Sequence, residues 1–405
     1  MKKRKIFGLE KNIFFTGLTS FFTDTSSKMV YSVMPLFLLS MGSSKTTISL
    51  IEGIAESTAS LVKALSGLWS DKIGKKKPFM VIGYGLTAII TPIYAFVFSP
   101  IQVLYFRFVE RVGKGLRTAP RDSLISSSTS KSTMGKSFGF QKAMDNSGAI
   151  IGPLIAFLCL KFLPINYGNI FLLATIPALF GVITIIIFIK EPKLETISDN
   201  GIVKEKKKVS LRNLPKKYYF FLVVVFLFSL GNSTDTLMLI KTYETGVDKA
   251  YVPFIYMIFN SVSVLLAIPI GKLSDRIGRS KLIIAGFLVY TIVYLGFGVF
   301  NSLNVFVLLF ILYGLYSALV DGSQKALVSD LVSFELKGTG YGLYHAIIGI
   351  SLLPASLIAG KLYDNVNSSA PFYFGAIMAF SAAILMIVFS VYLKKEEKKE
   401  ANIEN

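Results

Sequence analysis

The sequence predicts an all-α membrane protein with twelve transmembrane helices in two six-helix, pseudo-symmetric halves. Three observations lead there. Of 405 residues, 53% are apolar and only 17% charged, and the mean hydropathy is +0.60, a composition outside the range of soluble domains. At about 20 apolar residues per helical span, twelve spans take on the order of 240 residues, and short loops account for the rest. Finally, Gly67-Leu68-Trp69-Ser70-Asp71-Lys72-Ile73-Gly74-Lys75 recurs as Gly271-Lys272-Leu273-Ser274-Asp275-Arg276-Ile277-Gly278-Arg279, a spacing of 204 residues.

Apolar stretches bounded by turn residues or charge clusters place the spans at 12–40, 46–69, 78–99, 101–127, 135–162, 169–190, 218–242, 251–273, 281–300, 303–330, 338–362 and 371–393. Met1-Lys2-Lys3-Arg4-Lys5 is followed by no small-residue cleavage site, and the first apolar stretch is too long for a signal-peptide core, so it reads as a retained span. The polar stretch 191–217, with Pro192, Asp199-Asn200-Gly201 and Lys204–Lys208, reads as a cytoplasmic linker. It separates an N-terminal half, 1–190, from a C-terminal half, 218–405.

The formal charge of +19 does not point to nucleic acid, because the basic residues sit in short clusters between apolar runs. With the N-terminus inside, Lys2–Lys5, Lys72 with Lys75–Lys77, Lys131 and Lys136, the 190–217 segment, Arg276–Lys281, Lys337 and Lys394–Lys399 all fall inside, while outer turns keep little more than Lys45, Lys241 and Lys249. The asymmetry predicts both termini in the cytoplasm of a cell-membrane protein. One cysteine, Cys159, and one histidine, His345, exclude a disulfide framework and any thiolate or multi-histidine metal centre. No Gly-x-x-x-x-Gly-Lys-Ser/Thr loop is present, so ATP is not the energy source, and no motif supports enzymatic activity.

The duplication extends further. Gly135-Lys136-Ser137-Phe138-Gly139 matches Gly338-Thr339-Gly340-Tyr341-Gly342 at a spacing of 203, and Thr23-Asp24-Thr25 matches Thr234-Asp235-Thr236 at 211. Two six-helix copies entering the membrane from the same side form a parallel repeat, the pattern of a secondary transporter whose halves rock about a central cavity. A receptor or scaffold that kept this architecture without a transport cycle would have no use for its charges in mid-membrane, where each costs about 3 kcal/mol on insertion scales.

At the repeated segment, Gly67 to Lys76 resembles the signature loop between helices two and three of the major facilitator superfamily. Arg107-Phe108-Val109-Glu110 in helix four resembles its Arg-x-x-Gln stretch, with Glu110 for Gln and Arg111 where glycine is usual. Gly148-Ala149-Ile150-Ile151-Gly152-Pro153-Leu154-Ile155-Ala156 resembles the helix-five motif of its proton-driven exporters, with Ala156-Phe157 replacing the final glycine pair. The resemblance implies the twelve-helix fold and a drug/proton antiporter-like activity: proton-coupled efflux of small organic molecules by alternating access. The alternative is a proton-coupled importer or symporter of a nutrient, siderophore or organic anion, whose anionic group the helix-four arginines would hold. The partners are then a small molecule, protons and the bilayer, with no nucleic acid, cofactor or metal, and a monomeric chain.

A carboxylate at mid-membrane has its charged form disfavoured by desolvation, which suits it to proton exchange near neutral pH. Asp24 and Asp235, repeat mates in the first helix of each half, lead the proton-coupling candidates, followed by Glu56 and Asp145. Lys28, one turn from Asp24, is expected to neutralise it or alternate as its partner. Cavity candidates are Lys28, Glu52, Arg107, Glu110 and Arg111, which must face protein or water, together with Tyr31, Tyr256 and His345. Gly67, Asp71, Lys72, Gly74 and their copies Gly271, Asp275, Arg276 and Gly278 are expected to form tight turns and a latch between halves. Gly148, Gly152 and Ala156, four residues apart, form a small-residue stripe for close helix packing, and Pro153, which lacks a backbone donor, is expected to kink the helix at it.

Overall fold

The computed structural model describes residues 5–6, 9–129, 133–191, 214–333 and 336–404, so most of the expected 191–217 linker lies outside the described residues. A two-residue pairing of β1 (Lys5–Ile6) with β2 (Leu9–Glu10) precedes the bundle. The N-terminal half contains α1 (Lys11–Ser40), α2 (Lys45–Ile73), α3 (Lys77–Ile93), α4 (Pro100–Ser128), α5 (Met134–Phe162) and α6 (Tyr167–Phe188). The C-terminal half contains α7 (Lys216–Gly231), α8 (Thr236–Glu244), α9 (Tyr251–Ile277), α10 (Arg279–Val299), α11 (Leu303–Leu331), α12 (Lys337–Asn365) and α13 (Ala370–Glu404). Nine spans among the described residues are long and apolar enough to cross a membrane on composition alone, α7 and α8 counting as one. The other three, α1, α2 and α4, carry the polar residues of the N-terminal half, whose cost in lipid falls away where they face protein or water.

The expected span 218–242 is a broken helix. Asn232-Ser233-Thr234-Asp235 leaves helical geometry between α7 and α8, because short polar side chains offer the backbone alternative partners. Thr234 Oγ1 accepts from the Thr236 amide at 3.3 Å, and Tyr290 Oη donates to the freed Gly231 carbonyl at 3.0 Å. Irregular backbone at this depth survives only where it is buried in protein or lines a cavity.

A second correction concerns the repeated segment. Gly67–Ile73 and Gly271–Ile277 are the last turns of α2 and α9, not loops. Only Gly74 (φ 72°) and Gly278 (φ 96°) turn the chain, in a region that side chains with a Cβ rarely adopt. Gly271 makes no close approach to another helix.

Within the N-terminal half α1 packs on α5 and α6, and α2 on α4; in the C-terminal half α10 packs on α11 and α13, and α9 on α11. Gly148 and Gly152 allow α5 to lie directly on α1: a Cβ on Gly152 would stand 2.4 Å from the Thr25 carbonyl oxygen. The halves meet along α2 with α12 and α5 with α9. Direct bonds between halves cluster at the end of the bundle away from the termini. There Lys45 pairs with Glu244 at 2.9 Å, Glu244 being held within its own half by the Tyr363 hydroxyl, and the Asp364 carboxylate accepts from the amides of Lys45 (3.2 Å) and Thr46 (2.7 Å). Phe157 packs on Phe254 just below, with ring centroids 4.9 Å apart.

Candidate functional site

Between the halves, behind this closure, lies a cavity of about 330 Å³. Its N-terminal wall is built from Asp24, Ser27, Lys28 and Tyr31 of α1, Glu56 of α2, and Arg111, Lys114 and Arg117 of α4. The spacing of three and four residues puts each set on one helix face. The opposite wall is the Asn232–Asp235 break, Tyr256 and Phe259 of α9, and Tyr313, Tyr316, Ser317 and Asp321 of α11, with Leu352 of α12. A second cavity of about 270 Å³ shares Ser317 and Asp321 with the first and runs between α5, α9 and α11 toward the terminal end, reaching Asp275 and Lys325.

The charges fall into two environments. Deep in the N-terminal half, Arg107 is fully buried and grips Glu52 with Nε to Oε1 at 3.0 Å and Nη2 to Oε2 at 2.5 Å, while its Nη1 donates to Glu110 Oε2 at 3.1 Å. Tyr94 Oη donates to the same Glu110 oxygen at 2.9 Å. None of these four lines either cavity. Arg107, Glu52 and Glu110, expected in the cavity, therefore form a sealed cluster. Helical periodicity gives them a common polar face but does not say whether that face meets water or a neighbouring carboxylate. Buried ions persist when their mutual bonds compensate for lost hydration.

The cavity charges are less tightly held. Arg111 Nη1 meets Glu56 Oε1 at 3.1 Å. Arg117 donates to Thr87 Oγ1 at 2.8 Å, lies over the Tyr84 ring at 4.4 Å, and reaches Asp24 only at 4.0 Å. The expected Asp24–Lys28 pairing does not form. Lys28 Nζ instead crosses to the other half, donating to Tyr256 Oη at 2.7 Å between the Tyr31 and Tyr256 rings. One turn of α1 separates the two residues, but the lysine stem is long enough to follow the aromatic faces. Asp235 accepts from Tyr313 Oη at 2.7 Å.

Three further candidates lie elsewhere. Asp145 is outside both cavities and binds Arg121 Nη1 at 3.3 Å and Gln141 Nε2 at 2.8 Å. His345 lines neither cavity and packs edge-on against Tyr344. The Asp71 side chain lies outside the described residues, while its copy Asp275 pairs with Arg279 of its own half at 2.9 Å. Lys76 and Lys77, just after Gly74, instead donate their amides to Glu191, the first residue of the expected linker, at 2.6 and 2.8 Å.

The sequence places Lys114 and Arg117 on the charged face of helix four, expected to line the cavity or its vestibule, but Asp321 was missed altogether and Tyr316 and the 232–233 backbone were not singled out. A signal for Asp321 was present: it follows Arg117 by 204 residues, the spacing of the strongest repeat, and it is the first charged residue of its span.

A family model described as Major Facilitator Superfamily matches residues 16–245 and 221–405. An MFS-type transporter of Methanocaldococcus jannaschii is 36% identical over 387 residues, covering 94% of this chain and 95% of its own. The multi-drug resistance efflux pump PmrA of Streptococcus pneumoniae is 23% identical over 391 residues, covering 93% and 96%. Among solved structures, a POT family transporter in complex with 5-aminolevulinic acid superposes with a TM-score of 0.79 at 14% identity, covering 96% and 98%. A mutant of the nucleoside transporter NupG gives 0.74 at 14%, covering 94% and 99%.

Proposed function

The chain belongs to the Major Facilitator Superfamily, and we propose that this multi-pass membrane transporter exports small organic molecules across the cell membrane in exchange for protons. The termini are cytoplasmic in this reading, so the terminal-end cavity is the inward-facing entrance and the Lys45–Glu244 and Asp364–Thr46 contacts close the outer side. The observation that carries the proposal is the pair Asp24 and Asp235, repeat mates that both line the cavity and neither of which has a cation closer than 4.0 Å among the described residues. Carboxylates so placed take up and release protons as hydration of the cavity changes. Protonation of Asp24 weakens its hold on Arg117 of α4, and loss of that proton restores it, which couples proton occupancy to the position of α4 against α1. The similarity to efflux pumps supports the outward direction.

The test is proton movement in reconstituted vesicles when compounds from a chemically diverse panel are added. A substrate-linked proton flux is expected in the native protein, opposite in direction to the substrate. Asp24→Asn is expected to lose gradient-driven transport while retaining substrate binding and gradient-independent exchange. Undiminished flux in Asp24→Asn would remove this residue from the coupling step. Flux in the same direction as the substrate would make the protein a symporter, and no flux would end the proton-coupled reading.

A further inference from the structure

We propose that the cavity binds an amphoteric organic molecule, its anionic group at Lys114 and Arg117 on the N-terminal wall and its ammonium group at Asp321 and Asp235 on the C-terminal wall. The proposal rests on the transporter reading and names the substrate class of the same site. It starts from the separation of charge between the walls. The N-terminal wall presents four cations, Lys28, Arg111, Lys114 and Arg117, against two carboxylates, Asp24 and Glu56. The C-terminal wall presents Asp235 and Asp321 and no cation.

Pairing inside each wall does not cancel this. Glu56 is taken by Arg111 at 3.1 Å, and Asp24 stands 4.0 Å from Arg117. The Lys114 ammonium has no hydrogen bond or ion pair among the described residues, and the only one made by the Lys28 ammonium is to the Tyr256 hydroxyl. Across the cavity, among the described residues, the Asp235 carboxylate accepts only from Tyr313, and that of Asp321 only from Ser317 Oγ at 2.9 Å. Among the described residues, then, Lys114 and Lys28 have no carboxylate partner on one wall and Arg117 has one only at 4.0 Å, while Asp235 and Asp321 have no cation partner on the other.

The repeat explains why the opposite charges face each other. Arg117 and Asp321 are 204 residues apart, so the pseudo-symmetry that relates the halves exchanges a guanidinium for a carboxylate at equivalent places. Four of the five aromatic rings lining the cavity, Tyr256, Phe259, Tyr313 and Tyr316, belong to the C-terminal wall, with Tyr31 on the other, and ring faces favour an ammonium group. The guanidinium of Arg117 and the ammonium of Lys114, one turn apart on α4, suit a carboxylate or phosphate. At about 330 Å³ the space falls within the range of small-molecule pockets, about 300–1,000 Å³. A purely cationic ligand would leave Lys114 facing a like charge, and a purely anionic one would do the same to Asp235 and Asp321; such juxtapositions are costly.

Calorimetric titration of the full chain in nanodiscs with three matched probes tests this. 4-(2-Aminoethyl)benzoate carries both charges at opposite ends of one ring, 4-ethylbenzoate only the negative one, and 2-phenylethylamine only the positive one. The expected result is that the first binds at least tenfold more tightly than either of the others. Lys114→Gln is expected to reduce that preference over 2-phenylethylamine to less than threefold, and Asp321→Asn to do the same for the preference over 4-ethylbenzoate. If either variant fails to fold, the ranking on the native protein alone decides. Equal or tighter binding of 2-phenylethylamine would make this a cation site, and equal or tighter binding of 4-ethylbenzoate an anion site. No binding of 4-(2-aminoethyl)benzoate would mean that the two walls serve only each other during closure; each of these results overturns the proposal. Binding is read without flux, so its failure leaves the transport assay above to be judged separately.

Discussion

Replacing Arg107 with methionine should damage stability and leave ligand affinity nearly intact. Arg107 is fully buried and makes four charge-assisted bonds, three to Glu52 at 2.5 to 3.0 Å and one to Glu110 at 3.1 Å. Methionine fills similar space but leaves two carboxylates facing each other in a sealed interior, with the Tyr94 hydroxyl as the remaining donor to Glu110. Removing one partner from a buried ion pair costs about 3–5 kcal/mol, because the surviving charge stays desolvated and unmatched. At about 1.4 kcal/mol per factor of ten, the unfolding equilibrium should shift by between two and four powers of ten. The double variant Arg107→Met with Glu52→Leu should recover part of the loss, since the two side chains share one network and their effects are not additive. The assay is equilibrium unfolding of purified protein in detergent micelles, paired with the probe titration described above. A stable Arg107→Met protein with weakened binding would refute the argument, placing the arginine at the ligand.

Two further perturbations test the packing between elements. Lys45→Ala removes a half-exposed ion pair at the distal closure, worth about 0.2–1 kcal/mol. A factor of up to about five in the population of the distally open state follows. In a Cys159→Ala background, a cysteine at Ser27 should then react faster with a membrane-impermeant thiol reagent added from the distal side; an unchanged rate would mean that the Asp364 bonds to the Lys45 and Thr46 amides and the contact of Phe157 with Phe254 hold the closure without the ion pair. Gly152→Ala should destabilise the N-terminal half by about 1–3 kcal/mol through overpacking, because the added Cβ meets the α1 backbone at 2.4 Å and no flexible side chain can yield. Native stability in that variant would show that α1 and α5 can separate freely.

Hydropathy, charge asymmetry and the 204-residue repeat determined the helices to within a turn or so at most ends, because lipid forces each span to bury its own backbone hydrogen bonds and to be apolar over about 20 residues. Lys28, Arg111, Tyr31 and Tyr256, expected in the cavity, and Asp24, Glu56 and Asp235, expected as proton-coupling carboxylates, all line it, since a polar group at that depth has few other places to go. Tertiary structure decided everything that depends on how two helix faces meet. Arg107 and Arg111 share a face of α4, yet one is sealed against Glu52 and Glu110 while the other lines the cavity beside Glu56. Lys28 turns from Asp24, four residues away, to Tyr256, 228 residues away, a choice set by packing between halves and invisible to local spacing. The break at Asn232–Asp235 reads as continuous apolar helix to a hydropathy window, because its four short polar residues are outweighed by their neighbours. Tyr290, brought in from α10, donates to the Gly231 carbonyl freed at the break, and Tyr316 of α11 accepts from the Asn232 side chain, contacts that no hydropathy window contains.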